Sequence, residues 1–260
     1  MKQFHSEVSA SYLQQAAETF FPIKEYSYQC MEIAPGRKLL DLGCGPGVDL
    51  KALCELSDHE SHIVGVDYDR HMLMNAAEYC RQYYRTGRLS LINAKADDLP
   101  FFENYFDSCR SERLFMHLQA PEEVLREIKR IVKPQGVVVV AETDWASLSI
   151  DTQLPSIERI LSHYRMTHLM NNGYSGRSLY RQFKQAGFAD IDMRVFPIHV
   201  TDLSLFYSLS IQQAVEERAL VHGALTQREF DDWREDLSKS ANEGCFYACI
   251  NTIVISARKP

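Results

Sequence analysis

The segment Lys38-Leu39-Leu40-Asp41-Leu42-Gly43-Cys44-Gly45-Pro46-Gly47 constrains this chain more than any other stretch, because an apolar strand runs directly into a turn dense in glycine. Glycine adopts positive φ without a Cβ clash and lets a ligand approach the backbone, and a helix predicted from Val48 adds unpaired amides at its first turn. Strand, glycine turn and helix N-terminus in that order make a cradle for a nucleotide-type ligand. A second predicted strand, His62-Ile63-Val64-Gly65-Val66-Asp67, ends on a carboxylate where one can accept both hydroxyls of a ribose. The two features together are far more specific than either alone.

Around this turn, short apolar runs alternate with helical periods, the pattern of an α/β protein with a parallel sheet. Leu89–Ile92, Phe106–Arg110 and Val137–Ala141 complete the first set of strands, several of them apolar nearly throughout, as strands buried on both faces are. A helix is predicted from Pro121, with Val124, Leu125, Ile128, Ile131 and Val132 on one face, and Lys133-Pro134-Gln135-Gly136 stops it. From Ser156 onward helical patterns dominate. Leu179, Phe183 and Ala186 share a face ahead of Gly187, a C-cap signal, and Ile191 to Val200 reads as a strand. Residues 202 to 222 and 226 to 243 both read as helix, the second opened by a Thr226/Glu229 capping box, and Cys245 to Ala257 returns to strand composition. The expected organisation is an N-terminal helical segment (1–36) and one domain (37–260) with helical additions at about 151–180 and 202–243.

Composition limits the function classes. With 28 basic against 35 acidic residues the net charge is −7, which argues against nucleic acid and against an anionic membrane as partner. The seven cysteines form an odd set without a C-x-x-C pair, so they read as reduced thiols in a cytoplasmic protein. Cys245 and Cys249 would share a strand face but lack two further ligands, so no metal is expected. No apolar run approaches the 18 residues of a membrane span, and the first ten residues lack a signal-peptide core. Oligomeric state is not legible.

The spacing of the glycines selects among nucleotides. A dinucleotide fingerprint wants G-x-G-x-x-G, yet the sixth place counted from Gly43 is Val48, and the pattern here is G-x-G-x-G. With Asp41 to Gly47, the acidic strand end at Asp67, Leu99-Pro100-Phe101 before Phe106-Asp107, and the block Pro121 to Val140, the chain resembles the class I S-adenosylmethionine-dependent methyltransferases of small-molecule type over residues 37 to 145. That resemblance implies an α/β, Rossmann-like, doubly wound and mostly parallel seven-stranded sheet, with the added helices as a cap, and S-adenosylmethionine as methyl donor. It further implies that Gly43, Gly45 and Gly47 face the donor's methionine and ribose, that Asp41 holds its amino group and that Asp67 takes the ribose hydroxyls. Tyr68 would lie against adenine, the Ala96 amide with Asp97 or Asp98 would meet the adenine edge, and Ser111 would flank the methionine. Many relatives carry aspartate where this chain has Lys95, so Asp97 would have to substitute as acceptor for the adenine amino group.

A sulfonium donor carries an already activated methyl group, so orienting the nucleophile and excluding water can supply most of the barrier reduction, about 7 to 11 kcal/mol. A base is needed only for a neutral hydroxyl or a protonated amine. His117, Asp144 and His168 are the candidates by ionisability and position, and Glu142 and Trp145 also follow the fifth strand. Met166, Leu169, Met170, Tyr174, Phe206, Tyr207 and Leu209 favour a small organic or lipid-like acceptor, while Arg159, Arg165, Arg177 and Arg181 leave room for a modest anionic group. Two other readings stay open: a non-catalytic methyltransferase-like binding protein or subunit, and an NAD-dependent oxidoreductase, which would need the missing sixth-position glycine.

Overall fold

In the computed structural model, the backbone is described from Ala10 and the side chains from Phe20, in both cases to Pro260. Seven strands form one sheet: β1 (Lys38–Leu42), β2 (His62–Asp67), β3 (Leu89–Asn93), β4 (Phe106–Glu112), β5 (Val132–Ile150), β6 (Ala189–Val200) and β7 (Ala248–Arg258), in spatial order β3-β2-β1-β4-β5-β7-β6. Only β7 runs against its neighbours; the remaining pairs, β1 with β2 and β4, β2 with β3 and β4 with β5, are parallel. The chain leaves β1 toward β2 and later returns to its other side at β4, so strand order reverses at β1. Open α/β sheets bind ligands at the carboxyl edge of such a switch point.

Alternation along the central strands explains the layers. Leu40, Leu42, Val64, Val66, Val138 and Val140 face one way, onto Val124, Leu125 and Ile128 of the helix Pro121–Ile131 and Leu179 and Phe183 of the helix Ser175–Gln185. Leu39, Ile63, Val139 and Ala141 face the other, onto α1 (Ala10–Cys30), α2 (Val48–Leu56) and α3 (Arg70–Tyr79) through Ile23, Met31, Leu50, Leu53 and Ala76. A third apolar cluster joins the late helices, with Leu161, Val215, Ala219, Trp233 and Leu237 at its centre.

Several boundaries differ from the sequence reading. The helix from Pro121 stops at Ile131, and Val132 is extended and opens β5, which continues to Ile150 well past the predicted Ala141. The antiparallel partner β7 accounts for the extension, because it pairs with β5 from Val137 to Asp144 and again, after a register shift, at Ser149 and Ile150. Asp144 and Trp145 therefore belong to the strand. The helix expected over 202 to 222 is two, Leu203–Ser210 and Gln212–Val221, broken where Ile211 takes φ 52°. Cys245 precedes β7 instead of sharing a strand face with Cys249. The capping box does form at Gln227–Asn242, with Glu229 N donating to Thr226 Oγ1 at 3.2 Å, and Gly187 turns the chain at φ 73°. Segment 151–180 holds the helix Pro155–Tyr164, a π-helical turn Arg165–Leu169 and the first half of Ser175–Gln185. Among the described residues no helix is long and apolar enough to cross a membrane. Residues 1–9 of the N-terminal segment lie outside the described residues.

Candidate active site

All three glycines of the turn after β1 have left-handed backbone, φ 76° at Gly43, 51° at Gly45 and 91° at Gly47. Their surroundings differ. A Cβ at Gly43 would stand 3.2 Å from Leu114 and one at Gly47 would stand 3.0 Å from Ala76, so both positions pack closely, whereas a Cβ at Gly45 would meet nothing within 4 Å. Gly45 faces open space, the cradle a ligand would fill. Asp67 shapes the turn directly: its Oδ2 accepts from Gly45 N and its Oδ1 from Asp69 N, both at 2.9 Å. A carboxylate has about four lone-pair sites, so two hydroxyls can still be accepted.

Beneath the turn lies a buried charge cluster. Asp41 is 2 % exposed and Arg110, its register partner on β4, is fully buried. The Arg110 guanidinium lies 3.5 Å from Asp41 and 3.4 Å from Asp49, bonds Glu112, and donates through Nε to Ser27 Oγ at 2.9 Å. From α1, Lys24 donates to Asp49 at 2.7 Å and Glu112 at 3.0 Å, and Tyr28 bonds Asp49. Arg113 approaches Glu112 at 3.8 Å as a third cation, and of the three cations only Arg110 reaches Asp41. Burial, with Asp49 adding to it, pushes the Asp41 carboxyl up to about 7, whereas at Asp49 the attraction of Arg110 and Lys24 outweighs burial and holds it at about 2. Asp41 Oδ2 is buried without a partner among the described residues, so a cationic amino group placed there would supply a hydrogen bond and stabilise the ionised carboxylate. The donor's amino group therefore fits this site. The carboxylate attracts a cation only when ionised, so donor affinity is expected to rise as pH climbs through about 7. Asp41→Asn should bind more weakly and flatten that rise. Calorimetric titration from pH 6 to 8 checks it, and an unchanged slope in the variant would assign the effect elsewhere.

The other residues expected at the donor site are spread more widely. Tyr68 is 70 % exposed, with its carbonyl fixed by Asn93 Nδ2 at 2.8 Å, so its ring is free to be covered. Ala96 is half-buried and Asp97 exposed in the turn after β3. Ser111 on β4 is fully buried and its hydroxyl has no partner. Arg110, Lys24, Tyr28 and Asp49 were not singled out from the sequence; an arginine in the middle of a central strand was the one available signal.

The candidate bases are not brought together. Both Asp144 oxygens accept from Arg177 Nε, at 2.9 and 3.0 Å. His168 is exposed and stacks on Tyr164 at 4.6 Å, and His117 is exposed at the end of the 3₁₀ turn Phe115–His117. Glu142, pushed up to about 7 by burial, accepts from Met116 N and Thr143 N and so fastens the segment after β4.

A largely apolar cavity opens near the glycine turn, reached from it through the segment after β4. Phe20 of α1, Arg113 after β4, Trp145 and Leu148 of β5, and Phe206 and Leu209 of the helix Leu203–Ser210 line it. Arg113 is the neighbour of Leu114, whose side chain contacts Gly43, so one dipeptide spans from the turn to the cavity. Thr143, Ser210 and Cys249 supply polar atoms, and no carboxylate or imidazole is among the described lining residues. Tyr174, expected at the cap surface of the cleft, instead stands at the start of the helix Ser175–Gln185 beside Arg177, away from this cavity.

Residues 40–140 match a family described as a methyltransferase domain. A 37.1 kDa protein of transposon TN4556 from Streptomyces fradiae is 29% identical over 259 residues, covering 95% of this chain and 70% of that protein. The ubiquinone/menaquinone biosynthesis C-methyltransferase UbiE of Vibrio cholerae is 28% identical over 119 residues, a match that spans 46% of this chain and 46% of that protein. Among solved structures, a putative methyltransferase from Bacillus halodurans superposes with a TM-score of 0.65 at 14% identity, covering 91% of this chain and 98% of its own.

Proposed function

We propose that this chain, which carries a class I S-adenosylmethionine-dependent methyltransferase domain, transfers the donor's methyl group to a small, apolar, lipid-like acceptor held in the cavity near the glycine turn. The observation that carries this reading is the adjacency of cradle and cavity through Arg113 and Leu114. S-adenosylmethionine supplies an activated methyl group on a sulfonium. Gly45 leaves room for it, Asp67 offers free lone pairs to the ribose and Asp41 offers charge to the amino group. The apolar walls exclude water and fix the acceptor's direction of approach, which is the main contribution such a site makes. The mainly apolar lining favours an acceptor that brings its own nucleophile, an ionised oxygen or an electron-rich carbon. The relative named for C-methylation in quinone biosynthesis supports that class.

Within this reading residues 37–260 are the catalytic domain, and the additions at about 151–180 and 202–243 are its cap, which contributes Phe206 and Leu209 to the cavity wall. The net charge of −7 supports a small acceptor over nucleic acid, and the free thiols support a cytoplasmic setting. Leu209→Trp should fill the cavity and lower turnover at least about tenfold while S-adenosylhomocysteine affinity stays within about twofold. Turnover kinetics beside calorimetry checks this, and equal turnover in both proteins would move the acceptor elsewhere.

A further inference from the structure

Adjoining the apolar cavity, with Trp145 and Leu148 common to both linings, lies a second, smaller one lined by Arg165, Gln212, Ser162 and Trp233. Arg165 opens the π-helical turn and is 2 % exposed, and its Nη2 bonds Gln212 while Nε and Nη1 have no partner among the described residues. The indole of Trp145, whose centroid is 5.1 Å from the guanidinium carbon, also buries an unpartnered N–H.

Two carboxylates lie nearby, and neither is ion-paired with Arg165 among the described residues. Glu216 accepts from Tyr207, Gln212, Trp233 Nε1 and Arg234 Nε, the last two at 2.8 and 3.0 Å, so Arg234 already balances its charge. Glu158 also lines the small cavity; its Oε1 accepts from Ile150 N at 2.8 Å, which leaves its charge in place, and it makes no ion pair with Arg165 among the described residues. A buried guanidinium with two idle donors and no ion pair among the described residues is costly, and burial lowers its pKa to about 10 even with the attraction of Glu216. An anion would relieve that cost. The free space holds about one water, enough for one carboxylate oxygen and too little for a phosphate.

We infer that Arg165, with the Trp145 N–H beside it, binds the carboxylate of an apolar acid whose body occupies the larger cavity. That this acid is also the methyl acceptor, or contains it, rests on the function proposed above. The binding itself does not.

The chain's two tryptophans, Trp145 and Trp233, both line the small cavity, so intrinsic fluorescence reads the site. Decanoate is expected to change that fluorescence and to bind about tenfold or more tightly than decanol, the usual worth of charge-assisted hydrogen bonds. Arg165→Met should abolish the preference and leave decanol affinity unchanged. Decanoate should also raise the melting temperature of the unmodified protein more than decanol does, a measurement that holds even if the variant does not fold. Equal binding of the two probes, binding of neither, or a variant that melts lower yet keeps the preference would overturn the inference, the last by making Arg165 a tie to Gln212 alone. Neither titration uses donor or turnover, so failure of methyl transfer and failure of this subsite are separately visible.

Discussion

Gly45→Val abolishes binding of S-adenosylmethionine and S-adenosylhomocysteine and leaves the chain folded. The left-handed backbone at φ 51° disfavours any residue with a Cβ by about 1–2 kcal/mol, a modest fraction of a domain's stability. No atom of the described residues lies within 4 Å of the added Cβ, so no packing among them is lost. The branched side chain therefore projects into the space the donor must occupy. Gly47→Val is the contrast, because its Cβ would press on Ala76 at 3.0 Å and part α2 from α3, lowering stability and donor affinity together. Calorimetry paired with urea melts distinguishes the two variants. Undiminished donor affinity in Gly45→Val would remove the turn from the binding site.

Loss of Arg110 is the second large effect. Arg110→Met should cost about 3–5 kcal/mol at neutral pH, because it leaves buried carboxylates without their main counter-charge. The sign of its pH dependence follows from Asp49. Arg110 and Lys24 hold that carboxyl at about 2, below its unfolded value, so it contributes stability above about pH 4 that is lost as pH falls toward 2. The variant lacks most of this contribution, and the gap between the two proteins should be widest near pH 7 and narrow below pH 4. Denaturant melts across that range measure it. A gap independent of pH would make Arg110 a packing residue.

How much of this was legible in the sequence depends on the range of each interaction. The glycine turn, the carboxylate ending β2, the Thr226 capping box and the Gly187 turn are local signals, and the structure carries each where the residues put it. Asp67 has a second task, bonding Gly45 N, that strand position alone could not reveal. The break at Ile211 has no glycine or proline to announce it, and the length of β5 is set by β7, a partner about a hundred residues away. Arg110 meets Ser27 across 83 residues and Lys24 meets Glu112 across 88, so the charge cluster is complete only once α1 has docked. The cavity draws its wall from α1, β5, the segment after β4 and a late helix, none of which carries a signature of it alone. For the same reason Phe206 and Leu209 reach the cavity while Tyr174 does not.

The central claim is tested most directly by following the methyl group itself. The chain is incubated with methyl-labelled S-adenosylmethionine and a panel of apolar acceptors, alkyl-substituted quinols and apolar acids among them, and both labelled product and S-adenosylhomocysteine are counted. The expected result is stoichiometric appearance of the two with at least one apolar acceptor, at a rate that falls in Leu209→Trp and vanishes in Gly45→Val. Tight donor binding with no S-adenosylhomocysteine formed on any acceptor would contradict it and make the chain a binding protein.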